Sequence, residues 1–290
     1  MAKNPLTVVR KLTELRGVLC SKYYTGRSVG FVPTMGALHN GHLSLIAQSR
    51  QRADVSVASI FVNPTQFAPG EDFESYPRTE ESDLEKLESA GCDIAYIPDA
   101  DELYPAGSKT EVRVPGLSDV LDGVYRPHFF YGVTTVVARL FLHVGPDVAV
   151  FGEKDYQQLQ IIKRMVKDLG FSIDIVGAPT LREPDGLAHS SRNAYLSSDE
   201  RQRANALYAA LDDARHQIED KGAALESILS SAVKAIESAG FTSVDYVSAV
   251  DPETLEALNE DPAKWPPEAR LLGAAWLGKT RLIDNLPLAL

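Results

Sequence analysis

The chain has 290 residues, 44% of them hydrophobic and 24% charged, which suits one large or two ordinary globular domains. Its formal net charge of −11 argues against a duplex-binding protein, although a local basic cleft for phosphate is compatible with it. The two cysteines, Cys20 and Cys92, lie far apart without metal spacing, so neither a disulfide framework nor a thiolate zinc site is expected, and a reducing, cytoplasmic compartment is.

Val8, Val9, Leu12, Leu15, Val18 and Leu19 fall on one stripe of a first helix, broken by Arg10, Lys11, Glu14 and Arg16, which is not a signal-peptide pattern. A strand at 28–32 leads through Pro33-Thr34-Met35-Gly36 to a helix at 42–53, then to a β-branched strand at 55–62. The stretch 63–79, rich in Pro, Gly and aromatic residues, reads as a long ordered loop. A helix at 80–90 stops at Gly91, and a strand follows at 94–97. Next come a helix at 133–143, a strand at 148–151, a helix at 156–169 closed by Gly170, and a strand at 172–176. The longest apolar run, 134–151, is interrupted by Arg139, His143, Pro146 and Asp147, so no membrane span is expected.

Short strands alternating with helices predict a parallel sheet covered on both faces, with ligands beyond the carboxyl ends of its strands. After about residue 197 two long helical patterns, 199–221 and 223–239, precede strand-like runs at 243–250, 270–277 and 280–284. The expected fold is α/β: a Rossmann-like domain over 1–182 and a smaller α+β domain with an antiparallel sheet over 183–290.

The sharpest motif is Met35-Gly36-Ala37-Leu38-His39-Asn40-Gly41-His42, between strand and helix. Gly36 and Gly41 allow close backbone approach, the helix N-terminus attracts phosphate, and two imidazoles three residues apart supply donors for charge developing on phosphorus. The plainer alternatives are a pair of surface histidines or half of a zinc site, for which no further ligand lies nearby in sequence. Gly152-Glu153-Lys154-Asp155 closes another strand, where Lys154 is either a phosphate partner or a solvated surface residue. Ser190-Ser191-Arg192-Asn193 reads as a phosphate clamp or as a polar linker. Asn63 and Gln66 either hold a polar substrate or pin their loop, and Asp83 with Glu80 and Glu81 either meets magnesium or favours a helix start.

Taken in order, residues 32–42, 61–67, 76–79, 151–158 and 185–193 resemble the pantothenate synthetase (pantoate–β-alanine ligase) family, a member of the His-x-Gly-His nucleotidylyl-transfer group of Rossmann-like fold. The resemblance covers nearly the whole chain. It implies an ATP-dependent ligase that joins pantoate to β-alanine through a pantoyl-adenylate and releases AMP and pyrophosphate. It further implies magnesium and a homodimer, while the acidic net charge and the interrupted apolar runs leave no nucleic-acid or membrane partner expected. By motif position, residues Met35 to His42 would line the ATP site, with His42 donating a proton to the phosphates. Gly152, Glu153, Lys154 and Asp155 would also contact ATP, Lys154 on its phosphates. Leu181 would lie against the nucleotide, and His189, Ser190, Ser191 and Arg192 would close over it. Gln66 and Gln158 would bind pantoate, Gln66 also standing where β-alanine arrives, and Asp83 is the candidate magnesium contact. Two positions depart from the family pattern. His189 stands where a Met is usual, and Phe129 replaces a usual histidine, with His128 one place earlier.

Three rival readings are a nucleotidylyltransferase whose product retains the nucleotide, a class I synthetase, and a non-catalytic nucleotide-binding regulator. The C-terminal part offers no basic strip for RNA, and the presence of His42, Lys154 and Arg192 weighs against a regulator.

Overall fold

The computed structural model describes residues 5–23, 26–220 and 223–290; residues 1–4 and the predicted helix end at Lys221 lie outside the described residues. Thr7–Val9 forms an edge strand (β1), and the first helix is Leu12–Tyr23 (α1). This corrects the single helical stripe expected from Val8 to Leu19. Val9 shares a core with Leu15 and Leu19 but reaches it from a strand paired with Tyr96. Over three residues a helical and an extended pattern look alike, and strand pairing decides between them.

The first domain continues with β2 (Val29–Thr34), α2 (Asn40–Arg52), β3 (Val55–Ile60), α3 (Glu80–Ala90) and β4 (Ile94–Tyr96). Two short helices, α4 (Ala100–Leu103) and α5 (Asp122–Tyr125), precede α6 (Phe129–Val144), β5 (Val148–Gly152), α7 (Tyr156–Leu169) and β6 (Asp174–Ala178). The six strands pair in parallel in the order β1-β4-β3-β2-β5-β6.

Neighbouring residues of a strand point to opposite faces, and the core divides accordingly. Phe31, Val57, Ile94 and Ala149 join Leu15 of α1, Phe141 of α6 and Ile161 of α7. Their neighbours Val32, Ala58, Ala95 and Val150 join Ile46 of α2 and Leu87 of α3. Burial on both faces is why these strands read as continuous apolar runs. Sequence order reverses between β2 and β5, so a crevice opens beyond their carboxyl ends, where β2 runs into the histidine motif and β5 into Lys154.

The remainder contains α8 (Ser198–Arg203), α9 (Ala206–Glu219), α10 (Leu225–Ser238), β7 (Ser243–Val250), β8 (Glu268–Leu277) and β9 (Thr280–Ala289). The helix expected over 199–221 is thus two helices. The last three strands form an antiparallel sheet in the order β7-β8-β9. Leu207, Leu211 and Ile218 of α9 and Ile228 and Ile236 of α10 cover it in a separate core that takes in Leu187. Partly buried ion pairs join this sheet to the first domain: Arg281 to Asp122 (2.7 Å) and Arg182 to Asp284 (2.6 Å). Among the described residues no helix is long and apolar enough to cross a membrane.

Candidate active site

The turn after β2 is built around a buried carboxylate. Gly36 has φ +82° and Ala37 φ 50°, the latter a left-handed conformation that costs a residue with a Cβ about 1 kcal/mol or more. Asp83 of α3 holds it there. Its Oδ2 accepts the Ala37 amide (2.8 Å) and the Thr79 hydroxyl (3.2 Å), and its Oδ1 accepts the Leu38 amide (2.7 Å). Lys86 Nζ stands 3.9 Å from the same carboxylate and donates to the Leu38 carbonyl at 2.8 Å. With 0% of its surface exposed, Asp83 presents no oxygen to a magnesium ion. In this arrangement the carboxylate shapes the turn and does not face the cavity. Leu38 packs into the core, and Asn40 opens α2.

The two histidines form a reciprocal cap on α2. His39 Nδ1 accepts the Gly41 amide (3.1 Å), and His42 Nδ1 accepts the His39 amide (3.4 Å). A backbone N–H only donates, so each neutral ring carries its hydrogen on Nε2. Burial lowers the His42 pKa to about 4, helped by the positive charges of Lys154 and Lys86. Burial likewise lowers His39 to about 3, with His42, Lys154 and His189 acting the same way and Asp155 opposing. At neutral pH both rings are uncharged donors. A Cβ at position 41 would lie 2.8 Å from the His39 ring, which is why glycine stands between the histidines.

Beyond β5, Gly152, Lys154 and Asp155 border the same cavity, with Lys154 Nζ 3.7 Å from the Asp155 carboxylate. Five of the expected nucleotide contacts do not border the cavity: Gly36, Ala37, Leu38 and Asn40 of the turn, and Glu153, whose carboxylate bonds Arg270 at 2.9 Å. The stretch 181–192 closes the opposite side. Leu181 is 40% exposed, and its carbonyl accepts the His189 amide at 3.0 Å. The His189 ring stacks on His39 (6.0 Å between centroids, 18° between planes), with Nδ1 3.4 Å from Glu183. The Ser190 hydroxyl accepts the Arg192 amide (3.3 Å), Ser191 Oγ lies 3.1 Å from the Tyr76 hydroxyl, and Arg192 pairs with Asp72.

The cavity measures about 220 Å³ and brings His39, His42, Lys154, Ser190, Ser191 and Arg192 together with Met35, Gln66 and Gln158. A larger cleft of about 510 Å³ adjoins it at Lys154, Asp155, Ser190 and Arg192. Gln66 is held from both ends, donating to Met35 Sδ (3.0 Å) and accepting from Asn63 Nδ2 (3.1 Å). Asn63 also donates to the Gly132 carbonyl of α6 at 3.2 Å. A Cβ on Gly132 would come 2.5 Å from the Thr65 carbonyl oxygen, so that glycine lets helix and loop touch. Among the described residues, the Gln158 amide has no partner. Phe129 borders the cavity beneath the Arg126 guanidinium, 3.8 Å from its ring, and Arg126 in turn pairs with Glu71 at 2.7 Å; His128 does not border the cavity. Lys86 and Asp72 were not legible as site residues, because their partners lie 48 and 120 residues away.

A parallel sheet whose switch point carries paired neutral imidazoles, a lysine and a seryl-arginyl clamp defines an α/β enzyme that handles nucleoside triphosphates. The family described as Pantoate-beta-alanine ligase matches residues 7–287. Pantothenate synthetase of Hyphomonas neptunium is 58% identical, over 98% of this chain and 97% of its own. That of Caulobacter vibrioides is 50% identical, over 96% and 97%. A solved pantothenate synthetase from Thermus thermophilus superposes with a TM-score of 0.90 at 46% identity, covering 97% of this chain and 98% of that one. A Francisella tularensis pantoate-beta-alanine ligase, complexed with beta-gamma ATP and beta-alanine, gives 0.80 at 35% identity over 97% of each chain. The chain belongs to the pantoate–β-alanine ligase family.

Proposed function

We infer that the chain condenses pantoate with β-alanine at the expense of ATP, by way of a pantoyl-adenylate. The observation that carries this reading is the gathering, in one cavity at the switch point, of phosphate-binding groups on one side and the amides of Gln66 and Gln158 on the other. In the first step a pantoate carboxylate oxygen attacks the α-phosphorus, and the bond to pyrophosphate breaks. Lys154 and Arg192 offset the charge gathering on the departing oxygens, and the Nε2–H of His42 donates to them, as preorganised donors do in other phosphoryl transfers. In the second step the free amine of β-alanine attacks the acyl carbon, and AMP leaves. Gln66 and Gln158 orient pantoate, and Gln66 also meets the incoming amine. Met35, Gly36, Ala37, Leu38, His39, Asn40, Gly41, Gly152, Asp155, Leu181, His189, Ser190 and Ser191 shape the nucleotide side.

Residues 183–290 act as a lid over a domain formed by 1–182, keeping water from the adenylate. Magnesium fits this chain only as a companion of ATP. Among the described residues no three His, Cys, Asp or Glu side chains converge as a cage, and the ion is commonly held mainly by substrate phosphates. It would neutralise triphosphate charge. A homodimer in the cytoplasm completes the reading, and light scattering in solution checks the dimer.

The test is to incubate the protein with ATP, magnesium, pantoate and β-alanine and to identify the nucleotide product. AMP formed only when both substrates are present supports the reading. ADP, or a product that retains the nucleotide, overturns it.

A further inference from the structure

The turn that carries Lys154 is gripped from the other domain. Asn285 of β9 is 2% exposed, and its side-chain nitrogen donates to the carbonyl oxygens of both Glu153 and Lys154, each at 2.9 Å. Its side-chain oxygen accepts from Arg270 Nε at 2.7 Å. Arg270, on β8, also bonds the Glu153 carboxylate (2.9 Å) and lies over the Tyr156 ring, 4.3 Å from its centre. The orientation of the amide is thereby fixed. Flipped, it would turn its oxygen toward two carbonyls and its nitrogen toward a guanidinium that has nothing to accept with. The next residue down the strand, Asp284, holds Arg182 at 2.6 Å, at the start of the segment leading to Arg192. Two successive residues of β9 thus address both phosphate-binding segments.

We propose that Asn285 is a positioning residue for the adenylation step: it fixes the backbone from which Lys154 reaches the triphosphate. This rests on the phosphate role of Lys154 proposed above. A lysine side chain has four rotatable bonds, so its reach is defined only when its own backbone is held. Small misplacement of a charge-stabilising group is costly because its worth depends on preorganisation. The antiparallel sheet is on this view part of the catalytic framework as well as a cover.

Single-turnover pyrophosphate release with ATP and pantoate, without β-alanine, decides the matter in four proteins: wild type, Asn285→Ala, Lys154→Ala and the double variant. Asn285→Ala is expected to slow adenylation at least about tenfold, with the KM for pantoate within about twofold. In the Lys154→Ala background the same substitution is expected to cost less than about twofold, because the group it positions is gone. Equal losses in both backgrounds, or a change confined to KM, overturn the proposal. Near-normal adenylation by Lys154→Ala alone overturns the role of Lys154 itself, and this inference with it. If Asn285→Ala does not fold, Arg270→Lys takes its place in the cycle under the same criteria, since it keeps a positive charge facing Glu153 and loses the planar Nε–H that orients the Asn285 amide.

Discussion

Nε and Nη2 of Arg192 each lie 3.2 Å from an oxygen of Asp72, 120 residues earlier in the chain. The pair bridges the loop after β3 and the seryl-arginyl segment, so a carboxylate stands where a phosphate oxygen is proposed to go. Replacing it should release the guanidinium for the nucleotide. Because both side chains are partly exposed, the pair is worth no more than about 1 kcal/mol. Asp72→Asn is therefore expected to tighten a non-hydrolysable ATP analogue two- to fivefold, roughly, by calorimetry. Weaker binding would mean that the pair persists in the complex and orders the loop around the ligand.

The two imidazoles make stability depend on pH. Folding lowers both pKa values from an ordinary 6.5, to about 4 for His42 and about 3 for His39, so between those limits the unfolded chain binds more protons. Their contribution to unfolding is therefore felt as pH falls below about 6.5: stability drops through that window and recovers as pH rises again. Melting curves of His42→Gln should show a shallower decline between pH 6.5 and 4.5 than the wild type. The same variant should lose about a hundredfold in kcat at neutral pH, the usual size for a lost proton-transfer or oxyanion-type contact. A parallel melting profile would contradict the buried, neutral assignment.

Gln66 and Gln158 are expected to separate into two behaviours. Alanine at either position should weaken pantoate far more than ATP, by about 1–3 kcal/mol if a polar group of the acid is left unpaired. Gln66→Ala should also lower the melting temperature, since it removes a buried link to Asn63 and Met35. Gln158→Ala should leave the melting temperature unmoved. Equal losses for ATP and pantoate would move either residue out of the substrate side.

His189 stacks on His39 and faces Glu183, yet its amide rather than its ring is tied to the backbone of Leu181. Apolar contact with the nucleotide is the job expected of it. His189→Met should then change kcat/KM by less than about tenfold, roughly 1.4 kcal/mol of barrier, and leave the pH–rate profile in place. Loss of a titration near neutral pH would assign the ring to the chemistry.

The elements most legible in the sequence are those that carry their own stop signals. Glu80–Ala90 and Tyr156–Leu169 end at Gly91 and Gly170, both in the left-handed conformation that glycine favours, and the expected bounds match the observed ones. The break between Arg203 and Ala206 was hidden, because no proline or glycine marks it. Motifs contiguous in sequence, such as 39–42, pointed to the cavity wall because one turn presents His39, Gly41 and His42 together. Asp83 was ambiguous in sequence: acidic residues at a helix start suit a metal, a dipole or a backbone cap equally well, and its burial beneath the Ala37 and Leu38 amides could not be read from that pattern. The grip of Asn285 on the Lys154 turn spans 131 residues, and no local pattern announces a contact of that kind.

The reciprocal tethering of the two Nδ1 atoms bears on how the reaction ends as much as on how it starts. Each Nδ1 is filled by a backbone amide, so neither ring has a nitrogen free to take up a proton, and each meets a ligand only through its Nε2–H. A hydrogen bond from an uncharged donor is roughly half as strong as one from a cation. Spent nucleotide therefore has the weaker pull to escape at these two positions, and the strong hold on charge is left to Lys154 and Arg192.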